Sequence, residues 1–131
     1  VLADELATVL VANGIAPVIY IGTGAIIPDG DGPYVVVVET SGAGAEFVQD
    51  VAGASMVMPG AQISIRAADP SVAQDTAWAA WAVLIPIRNQ TIGVTWYRQV
   101  RVMQTPFDMG HDATGRRVKF GFNVVGDKKP S

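Results

Sequence analysis

Gln62-Ile63-Ser64-Ile65-Arg66, then Asp69-Pro70, then an alanine-rich run and two alternating segments: the stretch from Pro59 to Val125 decides the fold. Ile63 and Ile65 alternate with Gln62, Ser64 and Arg66, the period of a strand with one buried face. Asp69 is placed to cap a helix by accepting hydrogen bonds from its first free amides. Pro70 suits the first helical position, where no amide proton is needed. Alanines 73, 77, 79, 80 and 82 let that helix approach a sheet or another helix closely, and Trp78 and Trp81 add contact area. Pro86 lacks an amide proton and should kink or end the helix. A long hairpin is expected next. Val94, Trp96, Val100 and Val102 share one face, interrupted by Arg98. Val118, Phe120, Phe122 and Val124 share the matching face of the partner strand, with Arg117, Lys119 and Asn123 turned the other way. The hairpin is expected to turn through Phe107 to Arg116, and Gly126 to Ser131 to form a short frayed tail.

Upstream, Val1 to Asn13 reads as a helix, with Leu2, Leu6, Val9 and Leu10 on one face. Asp4 and Glu5 suit the positive end of its dipole, and Asn13-Gly14 tolerate the left-handed backbone that ends it. Val18 to Ile21 is expected as a strand. Residues 22–33 form a glycine- and proline-rich loop. Tyr34 to Val38 is a β-branched run suited to a strand covered on both faces. The glycine- and alanine-rich stretch Ser41 to Gly60 reads as either a flexible arm or a poorly ordered loop. The whole of 1–131 is expected to be one domain, with a mobile loop at 41–60.

The chain has no cysteine, which excludes disulfide scaffolds, thiolate catalysis and thiolate zinc sites. Half of its residues are hydrophobic, yet no apolar run reaches the roughly 18 residues a membrane span requires. The apolar start carries Asp4 and Glu5 and no basic leader, a poor match to a signal peptide, so a soluble, intracellularly made protein is expected. With only 16% charged residues, the hydrophobic share hints at surface buried between subunits. Charge divides along the chain. Residues 1–65 hold seven acids and no lysine or arginine; residues 66–131 hold all nine basic residues and five acids. The halves carry −7 and +4, giving the net −3. One reading is chance combined with solvated faces. The other is complementarity between neighbouring subunits, where opposite charges fix register. The dominant basic footprint of a DNA-binding protein is missing.

Signals for chemistry are weak. His111 stands beside Asp108 and Asp112, which suggests a metal or acid–base site less readily than a solvated turn. No serine sits in a nucleophile-elbow pattern. Asp29-Gly30-Asp31-Gly32 resembles part of a calcium loop but lacks the later ligands. Gly22-Thr23-Gly24 lacks the third glycine and the lysine of nucleotide loops.

The order of these segments resembles the minor capsid or tail-completion proteins of tailed bacteriophages, the group that includes tail terminators. The residues that carry the resemblance are the N-terminal helix closed by a glycine, Val18-Ile19-Tyr20-Ile21-Gly22 and the proline-containing loop. Tyr34-Val35-Val36-Val37-Val38-Glu39-Thr40-Ser41-Gly42-Ala43-Gly44 and Pro59-Gly60-Ala61-Gln62-Ile63-Ser64-Ile65-Arg66 follow. The alanine-rich helix, Gly110-His111-Asp112-Ala113-Thr114-Gly115-Arg116 and a final strand ending in Phe122-Asn123-Val124 complete it.

The resemblance implies an α+β fold, with a mainly antiparallel sheet of about four to five strands and helices packed against it. It implies a structural, non-enzymatic virion protein with no cofactor or metal. Its implied form is a homo-oligomeric ring, commonly a hexamer, in the neck at the head-proximal end of the tail. Such a ring ends tail-tube polymerisation, contacts the tube protein and the head–tail connector proteins, and passes DNA through its lumen. Assembly is expected in the host cytoplasm, without a membrane. Joined with the charge division, the ring makes Arg66, Arg98, Arg101, Arg116 and Arg117 candidate contact residues on one side, and Asp29, Asp31, Glu46 and Asp50 on the other. The rival readings are another connector or tail-tube component, or a small ligand- or metal-binding domain using Asp108, His111 and Asp112.

Overall fold

The structure, a computed structural model, describes residues 2–22, 27–28, 30–47, 55–111, 115 and 117–129; over 41–47 and 55–56 only the backbone course is described. In chain order the elements are α1 (Leu2–Ala12), β1 (Ile19–Ile21), β2 (Tyr34–Phe47), β3 (Ser55–Ala67), α2 (Pro70–Leu84), β4 (Arg88–Ile92), β5 (Thr95–Val102), β6 (Phe107–His111) and β7 (Val118–Lys128). The strands form one sheet in the order β1-β2-β3-β7-β5-β4, and β6 pairs with β7 off that path. Only the β1–β2 pairing is parallel among those described.

The class is α+β with a mainly antiparallel sheet, as expected, but the described residues form seven strands rather than four to five. The two strands that escaped are β4 and β6. Four of the five residues in Arg88–Ile92 are exposed, so no alternation marks them. Phe107–His111 carries an aspartate and a glycine and looks like a turn. It instead pairs with β7 at Phe107–Gly121, Asp108–Phe120 and His111–Val118. The stretch 41–60, expected as a loop or arm, contributes 41–47 to β2 and 55–60 to β3, paired with two register shifts. Residues 48–54 lie outside the described residues. The expected frayed tail is also corrected: Gly126, Asp127 and Lys128 complete β7 and pair with β5.

Both helices lie on one face of the sheet. Leu2, Leu6 and Leu10, spaced at one helical face, and Ala73, Ala77, Ala80 and Leu84 share a core with Val35, Val37, Ile63, Ile65, Phe122 and Val124. Burying each such leucine contributes roughly 1.5–3 kcal/mol. The alanines of α2 keep its axis close to the sheet. Asp69 caps α2 by accepting from the Ser71 amide at 2.9 Å, with Pro70 in the first turn. α1 ends as expected: Gly14 has φ 75°, its amide donates to Val11 O at 3.0 Å, and the Ile15 amide donates to Leu10 O at 3.0 Å. Together these two bonds form the Schellman cap that satisfies the last carbonyls.

The alternation expected in β5 is broken. Val94 is 99% exposed in the turn between β4 and β5, and Tyr97, not Trp96, is buried. Tyr97 pairs with Lys128 and Gln99 with Asp127, so two steps along β5 match one along β7. This β-bulge shifts the phase, so that Tyr97 and Val100 both point into the core.

Tyr97 is the largest wholly buried side chain among the described residues, and its hydroxyl donates to Glu5 Oε1 of α1 at 2.7 Å. Glu5 is itself buried, so the bond ties helix to sheet across the core. Burial, then the Glu5 hydrogen bond and the charge of Glu5, push the Tyr97 phenol well above its ordinary range. The folded state therefore resists ionisation of this group. Its contribution to stability is complete below about pH 10, the unfolded value, and is lost as pH rises beyond it. Tyr97→Phe leaves Glu5 buried without its donor. We expect it to cost about 1–3 kcal/mol at neutral pH in chemical denaturation. It should also flatten the fall in stability above about pH 10.

Candidate assembly surface

The face of the sheet opposite the helices collects the polar side chains. Tyr34, Arg66 and Lys119 stand side by side across β2, β3 and β7, followed by the rows Val36, Ser64, Gly121 and Val38, Gln62, Asn123. Gln62 Nε2 donates to Asn123 Oδ1 at 3.3 Å, and the Asn123 amide donates to Gln104 Oε1 at 2.8 Å. Gly121 has no room for a side chain, because an added Cβ would run into the Ile63 carbonyl oxygen and crowd Met109 Cε at 2.9 Å.

Four of the arginines singled out from the sequence, Arg66, Arg98, Arg101 and Arg117, lie on or beside this face in two groups. At one end, the bulge in β5 sends both Arg98 and Arg101 toward Asp127. Arg98 donates to Asp127 Oδ2 through Nη2 at 2.6 Å and Nε at 3.1 Å, and Arg101 Nη2 stands 3.9 Å from the same oxygen. Arg101 also lies 3.0 Å from Met58 Sδ. Asp127 is wholly buried, while the Arg98 and Arg101 side chains are 41% and 43% exposed. Asp127 Oδ1 has no hydrogen-bond partner among the described residues. Such a carboxylate is tolerated only beside fixed cations.

At the other end, Arg117 is buried. Its Nη1 donates to Pro28 O at 2.9 Å and its guanidinium lies 5.3 Å from the Tyr34 ring centre, pinning the loop before β2. Arg66 is half-buried, and its Nε finds no partner among the described residues. Asp31 is exposed, and its carbonyl accepts from the Ala68 amide at 2.8 Å. Asp29, Asp50 and Arg116 lie outside the described residues, as does the side chain of Glu46.

Asp108 accepts from the Gly110 amide at 2.7 Å and so shapes the irregular end of β6, and His111 is exposed. Asp112 lies outside the described residues. No group of three or more metal-binding side chains forms among the described residues. No helix among them is long and apolar enough to cross a membrane.

Residues 9–119 match the model of a family described as bacteriophage tail terminator protein. The chain belongs to the tail terminator family. The match spans β1 to β6 and bears out the resemblance drawn from the order of its segments. Terminators are structural proteins of the phage tail, and that role comes with the family. Among solved structures, a chain from the virion of a native gene transfer agent particle shares the fold. It has a TM-score of 0.62 and 11% identity, over 95% of this chain and 84% of that one. No curated protein matches the sequence.

Asp127 was missed in the sequence because it sits past the last clear alternation; the signal that points to it is the pair Arg98 and Arg101, three residues apart on the paired strand. Its burial sets an order of effects. Arg98→Met leaves a buried carboxylate with only the distant Arg101, and is expected to cost about 3 kcal/mol or more in urea denaturation. Asp127→Asn leaves two arginines that can turn to water, and should cost less. The reverse order would show that Asp127 is not the more deeply committed partner.

Proposed function

We propose that this terminator forms a ring, commonly a hexamer, at the head-proximal end of the tail. There it ends tube polymerisation, offers the surface that joins tail to head, and lets DNA pass through its lumen. It does so without catalysis, and its partners are further copies of itself, the tube protein and the connector. The observation that carries this reading is the open sheet. Its two ends are formed by different strands, β1 and β4, so they present unlike surfaces. Copies that join one end to the other do so head to tail, and such contacts either close into a ring or grow without limit. The outer edge of β2 beyond Val37 adds a free strand edge among the described residues, a template for pairing with another chain. A net charge of −3 suits a conduit, because each phosphate contact adds affinity through counterion release and would slow passage. The charge division and the exposed parts of Arg98 and Arg101 support subunit contacts on the β5 side.

Tail assembly in the presence and absence of the chain checks the function. Tubes of bounded length carrying the chain at one end only are expected when it is supplied, and overlong tubes when it is withheld. A chain distributed along the shaft would mark a tube subunit instead.

A further inference from the structure

Two apolar patches stand exposed at the two ends of the sheet, on or beside its helix-bearing side. At the β1 end, Val11, Val18 and Ile21 are exposed around a shallow groove of about 620 Å³ between α1 and β1, which Asp4 also lines. Val18 is 55% exposed. At the opposite end, Ile85, just past α2, and Met103, just past β5, are exposed beside a second groove that Arg88 and Arg101 line. Met103 is 58% exposed. Large apolar side chains clustered beside a groove mark a contact surface more readily than single scattered ones do.

The two ends differ in charge in a way that the sequence division foreshadows. Asp4 is the charged residue of the first groove, and Arg88 and Arg101 are those of the second. Asp4 and Arg88 are exposed, and neither makes an ion pair among the described residues. The first groove is mainly apolar with one acid; the second is mixed, with Ile85 and Met103 beside two arginines, so the two carry opposite charge. Because they sit at opposite ends of one sheet, a single chain cannot bring its own two patches together.

We infer that the partner of each patch is a second copy of this chain: the α1–β1 groove of one copy receives the Ile85–Met103 surface of the next, with Asp4 of the first facing Arg88 of the second. The inference rests on the ring reading above and names the surfaces that would build the ring. Apolar contact at Val11, Val18 and Ile21 supplies the area removed from water. The Asp4–Arg88 pair sets register and rejects like ends, since juxtaposing two α1–β1 ends would oppose acid to acid. The contact is heterologous, so it repeats from copy to copy.

Charge reversal in the full-length chain tests the pairing, read by sedimentation and native mass at low and physiological salt. Arg88 is exposed on the sheet edge, so Arg88→Asp should keep the wild-type thermal melt; Asp4→Arg puts a cation in the first turn of α1 and should lower the melt slightly, while the folded chain persists. Each reversal alone is expected to lower the association constant by about tenfold or more, most strongly at low salt. The chain carrying both reversals restores opposite charges at every contact and should recover association to within about threefold of wild type. If the wild type forms a ring and neither single reversal weakens it, the pairing is overturned while the ring reading stands. If both weaken it and the double variant does not recover, Asp4 and Arg88 do not face each other. If the wild type is monomeric in solution and forms no ring on tail ends, the ring reading fails and this pairing fails with it.

Discussion

One extra residue in β5 sets the character of both faces of the sheet. The bulge between Tyr97 and Gln99 lets Tyr97 and Val100 both turn toward the helices. Inside, Tyr97 meets Glu5 and binds α1 to the far half of the sheet. Outside, Arg98 and Arg101 both reach Asp127. Without the bulge, strict alternation would send Tyr97 and Val100 to opposite faces and break one of these arrangements. Close packing behind the bulge depends on Gly126. A Cβ there would meet Leu2 Cδ1 at 2.8 Å and Tyr97 Cε1 at 3.0 Å.

β7 is the strand on which this arrangement is assembled. It pairs with β3 along one edge and with β5 and then β6 along the other. Its inward residues Phe122 and Val124 belong to the common core, and its outward residues carry the polar rows and Asp127. The long pairing of β2 with β3 extends the sheet past the end of β7, since Glu46–Met56 and Phe47–Ser55 lie beyond the Val57–Lys128 pair. A rigid sheet with unlike ends is what a structural subunit needs: interfaces held in fixed relative orientation by a shared core.

Much of this was legible in the sequence where one strong physical signal acted alone. The caps of both helices, the valine run of β2 and the alternation of Phe120, Phe122 and Val124 each follow from local rules, and the α+β class with them. The failures have identifiable causes. Alternation in β5 was read through a bulge, which no period can reveal, so Trp96 stood in for Tyr97. β4 is an exposed edge without a buried face, and Asp108 and Gly110 disguised β6 as a turn. The glycines and alanines of 41–60 hid the outer ends of two strands whose pairing is long-range. Of the arginines named as contacts, Arg98 and Arg101 do reach a half-exposed surface. Arg117 lies buried against Pro28 and Tyr34, a placement that charge counting cannot foresee. Asp4, read from the sequence as a helix-dipole residue, and Arg88 take on a contact meaning only once the α1–β1 groove and the β5–β4 edge are seen on separate parts of the fold.

The central claim is that unlike sheet ends join copies of this terminator into a closed ring on the tail. Cryo-electron microscopy of assembled tails bearing the chain tests it most directly. The expected result is a single cyclic ring, of about six copies, at the head-proximal end, with each α1–β1 end against the β5–β4 end of its neighbour. Isolated copies bound at that end without touching one another, or copies paired through like ends, would contradict it.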